Sequence, residues 1–83
     1  MKIKIFSVYD AKAEAFLQPF FAKATGQAIR SFTSAVNQPD HEFFRHAADY
    51  TLFYIGEFDE DTGTVEGLKN GNENLGNAIT YQE

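Results

Sequence analysis

The sequence predicts an α+β fold, in which a small antiparallel sheet of three or four strands carries one main helix on one face. Residues 50–58 combine four aromatic with two β-branched side chains, which favours a central strand. Residues 2–9 alternate in a way typical of a second strand. Residues 26–38 carry a single apolar stripe, as expected of a helix that packs on a sheet. The expected order is β-α-β-β, with an optional final edge strand.

The first strand, residues 2–9, has two different faces. One face carries Ile3 and Ile5. The other is basic at its start and then apolar, with Lys2, Lys4, Phe6 and Val8.

Residues 10–25 predict a helical turn and then a loop. Asp10 can cap a turn over residues 11–16, where alanine, lysine and glutamate favour helix. Pro19 makes Gln18 extended, so Phe20 and Phe21 are expected in a loop.

The main helix follows, with Thr25 as its N-cap. Its apolar stripe consists of Ala28, Ile29, Phe32, Ala35 and Val36.

The central strand is apolar on both faces, which indicates that both are covered. Period-two alternation puts Tyr50, Leu52, Tyr54 and Phe58 on one face and Thr51, Phe53, Ile55 and Glu57 on the other. Because the chain offers one clear helix, the second face is left to water, a ligand or a second copy of the chain. An acidic turn at residues 59–63 and a strand at residues 64–68 complete a hairpin. The optional edge strand is residues 78–81.

Residues 1–83 form a single domain, with a less ordered tail at residues 69–83. A chain of 83 residues without cysteine has a small core and no disulfides. Self-association is the remaining means of stabilisation, and we expect a homo-oligomer, with a dimer favoured. No apolar run approaches the roughly 20 residues of a membrane span, which indicates a protein that does not bind membranes.

The net charge of −5 is unevenly distributed. Residues 1–46 hold six cations and four acids, whereas residues 47–83 hold one cation and eight acids. Such a difference either marks an interaction surface or reflects acidic loops that keep the protein in solution.

Catalytic and metal motifs are not found. The acidic turn resembles a calcium loop only faintly, since glycine falls at position 5 instead of 6 and position 12 is Asn70. His41 and His46 are five residues apart and do not share a helix face. We therefore expect no enzymatic activity, no catalytic residues, no metal and no cofactor.

The basic and aromatic face of the first strand suggests a different function. Proteins that bind single-stranded nucleic acid combine cations that contact phosphates with rings that stack on bases. Lys2, Lys4 and Phe6 provide this combination on one face. The alternative is that Phe6 belongs to the core and the lysines are merely solvated.

The chain also resembles a known family through three segments in order: residues 1–22, 25–37 and 39–63. They contain KIFSVYD, AIRSF and the block that runs from His46 through DYTLFYIGEFD. These segments resemble the small nonstructural protein of gokushoviruses, single-stranded DNA phages of the Microviridae. The resemblance implies a DNA-binding protein of the host cytoplasm that acts in viral genome replication and packaging.

We therefore expect binding of single-stranded DNA. The candidate phosphate contacts are Lys2, Lys4 and Arg30, and the candidate stacking residues are Phe6, Tyr9 and Tyr54. The alternative is a protein-interaction module that contacts phage replication or capsid proteins without touching DNA.

Overall fold

A computed structural model describes all residues 1–83 and contains six strands and three α-helices. The strands are β1 Lys2–Asp10, β2 Ala15–Phe16, β3 Phe20–Ala22, β4 Tyr50–Asp59, β5 Thr64–Gly67 and β6 Glu73–Asn77. The helices are α1 Thr25–Val36, α2 Glu42–Arg45 and α3 Ala78–Tyr81, with a 3-10 turn at Ala47–Asp49. None of the helices is long and apolar enough to span a membrane.

Two long antiparallel strands, β1 and β4, form the centre of the sheet. On its outer side, β1 pairs with β2 near one end and with β3 near the other. In the same way, β6 and β5 pair with the outer side of β4. The sheet is therefore four positions wide, and each of its edges consists of two short strands.

The prediction of three or four strands is wrong, because the sheet has six. The short strands β2 and β3 lie where local propensity favours a helical turn and a loop. They form because β1 offers an unpaired edge, along which Phe16 lies opposite Tyr9 and Phe21 opposite Ile5. Pro19 separates the two strands, and proline has no N–H to donate to the ladder.

The chain end also differs from the expectation, since Glu73–Asn77 is a strand and Ala78–Tyr81 is a helix instead of an edge strand. The side chain of Asn77 accepts a hydrogen bond from the backbone N–H of Ile79 at 3.0 Å, and this cap starts α3. The Tyr81 hydroxyl donates to the carbonyl of Leu75. The tail predicted to be less ordered, residues 69–83, contains both elements.

The core lies between the sheet and α1. The apolar stripe of α1 faces β1 and β4, and the best-buried members of this layer are Phe6, Val8, Leu52, Ala28, Phe32 and Val36. The helix begins at Thr25, so Ala24 is the N-cap residue in place of Thr25. The side chain of Gln27 accepts from the backbone N–H of Lys23 and of Ala24, at 3.1 and 3.3 Å.

A β-bulge in β4 changes which side chains share a face. Tyr54 pairs with Phe6 and Gly56 pairs with Ile5, which leaves Ile55 without a partner. An unpaired residue reverses the alternation beyond it. Glu57 therefore points to the same side as Tyr54, and Phe58 points to the opposite side, the reverse of the period-two prediction.

Candidate nucleic-acid interface

Lys4, near the start of β1, and Tyr54, in the middle of β4, form a cation–aromatic pair. The Lys4 Nζ lies 4.6 Å from the centroid of the Tyr54 ring and 3.4 Å from its hydroxyl oxygen. The Tyr54 hydroxyl donates to a carboxylate oxygen of Glu57 at 3.3 Å. The Nζ of Lys2 lies 3.9 Å from the other oxygen of that carboxylate. The side of the sheet that α1 covers, here called the helix face, carries all four residues.

Tyr54 also lines a polar cleft of about 410 Å³ beside the loop that joins β5 to β6. The lining residues are Tyr54, Leu68, Lys69, Asn70, Gly71, Asn72 and Glu73. Lys69 adds a cation to this lining, and the asparagine amides add hydrogen-bond donors and acceptors. We call Lys2, Lys4, Tyr54 and Lys69, together with this lining, the strand-end cleft.

Acids outnumber the lysines around the strand-end cleft, because Asp59 and Glu66 lie on the same face, opposite Lys2 and Glu57. Glu57 and Glu73 offset two of its three lysines. The ion pair between Lys2 and Glu57 is long and solvent-exposed, so it contributes little to stability. Lys2 can therefore exchange this carboxylate for another anion at small cost.

The six predicted contact residues do not form one surface. Lys2, Lys4 and Tyr54 are together in the strand-end cleft. Phe6 has no exposed surface; its ring centroid lies 5.3 Å from that of Tyr54 and supports the tyrosine from the core. Tyr9 points to the opposite side of the sheet, beside Phe16.

Arg30 lies on the outer side of α1, in a separate polar cleft with Thr33, Asn37 and Glu83. Lys69, in contrast, lines the strand-end cleft although it is not one of the six predicted contact residues. The available signal was that it is the single cation in residues 47–83. The loop before β6 had no predicted position, so its proximity to Tyr54 depended on the fold.

The side of the sheet away from α1, here called the open face, is covered by no helix. Every charged residue at a paired strand position points to the helix face; these seven are Lys2, Lys4, Asp10, Glu57, Asp59, Glu66 and Glu73. The open face carries aromatic, aliphatic and small polar side chains: Ile3, Ile5, Ser7, Tyr9, Phe16, Phe21, Thr51, Phe53, Phe58, Val65, Asn74 and Asn77. Its rings form two groups, Tyr9–Phe16–Phe53 and Phe21–Phe58, with centroid separations of 5.0 to 6.1 Å.

Comparison with known proteins gives one family. The family described as Phage ORF5 protein matches residues 3–81, nearly the whole chain. No curated protein matches the chain, and no solved structure matches it. The match covers every strand and helix except Lys2, the first residue of β1. The chain therefore belongs to the Phage ORF5 protein family and is a phage protein.

Proposed function

We propose that this phage protein binds single-stranded DNA in the strand-end cleft, in the host cytoplasm, while the viral genome is replicated and packaged. The observation that carries the proposal is the Lys4–Tyr54 pair, which borders a cleft that also holds Lys69. A cation beside an aromatic ring suits a nucleotide, because the cation contacts the phosphate and the ring stacks on the base. The resemblance to the gokushovirus nonstructural protein supports the role in genome synthesis.

Binding of this kind needs no catalytic residue, metal or cofactor. Phe6 does not contact DNA in this proposal; it lies in the core and packs against the Tyr54 ring, which holds that ring in place. Arg30 and Tyr9 lie on other surfaces, so they are further contact points only for a strand that extends beyond the cleft.

Three lysines set the expected salt dependence. Each phosphate contact contributes about −0.7 to the slope of log K against log salt for single strands, so three contacts give about −2. Affinity should then fall about 20-fold between about 50 and about 200 mM salt. This dependence is weak for a nucleic-acid binder and agrees with the acidic balance of the chain.

Fluorescence anisotropy with a labelled single-stranded oligonucleotide tests the proposal. Lys4→Gln and Lys69→Gln should each weaken binding and make the slope shallower by about 0.7. Lys12→Gln is the matched control, since Lys12 lies in a cleft with Asp10 and His46, away from the strand-end cleft. Tyr54→Leu should weaken binding about 5- to 150-fold through lost stacking.

Two results would refute DNA binding in the strand-end cleft. One is the absence of binding even at about 20 mM salt, where electrostatic contacts are strongest. The other is an equal effect of Lys4→Gln, Lys69→Gln and Lys12→Gln, which would indicate a response to net charge alone.

A second candidate function is a protein-interaction module that contacts replication or capsid proteins without touching DNA. The uncharged open face favours it, because apolar patches on a protein surface mark interaction sites. Its signature would be salt-insensitive binding to a purified phage replication or capsid protein, together with no binding to the oligonucleotide.

A further inference from the structure

We infer that the open face is the interface with a second copy of this chain, so that two sheets stack face to face in a homodimer. This inference is independent of DNA binding, because the strand-end cleft lies on the helix face and stays exposed in such a dimer. Stacked sheets of this kind pack about 10 Å apart and bury their facing side chains in a shared core.

Charge distribution selects a second copy as the occupant. The chain has a net charge of −5, so two copies repel each other wherever their charged surfaces meet. All seven charged residues at paired strand positions point to the helix face. Two copies that meet through their open faces therefore bring no charged strand residues together. A basic or acidic partner would find no complementary charge on this face.

The donors of two polar side chains on the open face, Ser7 and Asn77, are already paired within the chain. Ser7, which is buried there, donates its hydroxyl hydrogen to the carbonyl of Leu17 at 2.6 Å. The Asn77 side-chain amide donates to the Thr51 hydroxyl at 3.2 Å and to the Ala48 carbonyl at 3.0 Å. Covering these two side chains leaves their donors paired, so the penalty for burying them is small.

The open face is large enough for a dimer interface at the small end of the biological range. Four strand positions spaced about 4.8 Å apart, with central strands about 30 Å long, give roughly 570 Å² per copy in projection. Two copies then cover about 1,100 Å², above the roughly 1,000 Å² expected of a biological interface. The sheet edges suit pairing less well, because both consist of short strands, which discourage edge-to-edge addition.

The exposed hydrophobic side chains also favour this arrangement. Phe21 is 55% exposed and Val65 is 66% exposed, and both belong to the open face. Only 12 of the 83 residues are buried within one copy. A second copy would cover these side chains and enlarge the small core, which stabilises a chain of this size.

Light scattering after size-exclusion chromatography, over a concentration series, tests the interface. The wild-type chain should show twice its 9.3 kDa mass and dissociate only on dilution. Phe21→Glu should shift this equilibrium to the monomer by at least tenfold in Kd, since it places a charge in an interface without a complementary charge. Ile79→Glu is the matched control: Ile79 is 57% exposed, but it lies on α3, which packs on α1 at the helix face.

Val65→Cys provides a second measurement that keeps the face apolar. The chain has no cysteine, so the introduced thiol is its single site for a maleimide. Labelling should slow as protein concentration rises, whereas Ile79→Cys should label at one rate throughout. A wild-type chain that remains at 9.3 kDa at every concentration would overturn the inference. Equal dimerisation of folded Phe21→Glu and Ile79→Glu, or labelling of Val65→Cys independent of concentration, would also overturn it.

Discussion

Replacing Gly56 with alanine should break the pairing of β4 with β5. A Cβ built on Gly56 would lie 2.5 Å from the backbone carbonyl oxygen of Glu66 and 3.3 Å from the carbonyl carbon of the same residue. Cβ contacts under 3.0 Å essentially do not occur, so the strands must part by at least 0.5 Å. Both obstacles are backbone atoms, which cannot move aside without disturbing the ladder between Gly56 and Asp59.

The expected cost follows from overpacking. Added methyl groups in a closely packed site destabilise by about 1–3 kcal/mol. For a domain of this size that corresponds to a fall in Tm of roughly 5–20 °C. Since β5 leads directly into the loop that carries Lys69, Gly56→Ala should also weaken oligonucleotide binding.

Gly67→Ala is the matched control, because the nearest atom to its added Cβ is the Ile55 carbonyl oxygen, at 4.0 Å. The two glycines face each other across the same ladder. Without a clash, Gly67→Ala should be neutral or stabilising by about 0.4–1 kcal/mol. Urea unfolding followed by circular dichroism at one protein concentration measures both variants. Equal stabilities of Gly56→Ala and Gly67→Ala would refute the steric argument.

Three further predictions concern other sites. Gly76→Ala should lower Tm, because Gly76 has a φ of 125° and an added Cβ would meet the Tyr81 ring at 3.0 Å; an unchanged thermal melt would contradict this. Burial, and then the carboxylates of Asp10, Glu42 and Asp49, raise the pKa of Tyr50 above its ordinary value of 10.0. The folded state therefore holds this proton more tightly, so the free energy of unfolding should decline as the pH rises above about 10. Urea unfolding should show a smaller decline in this free energy for Tyr50→Phe. Glu57→Gln should strengthen oligonucleotide binding, because it removes the carboxylate that pairs with Lys2. Fluorescence anisotropy at low salt measures this gain in affinity. An unchanged affinity would show that the ion pair does not compete with DNA.

Sequence alone was sufficient for the elements whose pattern is strong and local. The long strand β1 and its two faces follow from alternation, with Lys2 and Lys4 on one side and Ile3 and Ile5 on the other. The apolar stripe of α1 identified the main helix and the side of it that meets the sheet. The prediction of one uncovered sheet face also came from the sequence, because it required only that the chain has too few helices.

Tertiary structure decided the short elements and the composition of the site. The short edge strands have little intrinsic preference, and they exist because β1 and β4 present unpaired backbone groups. The bulge at Ile55 moved Phe58 to the open face and Glu57 beside Tyr54, and no period-two pattern can anticipate an unpaired residue. Lys69 joined Tyr54 only because a loop folds back beside β4. Local sequence determines how a strand divides its side chains between two faces, but contacts between distant residues determine which faces and loops meet.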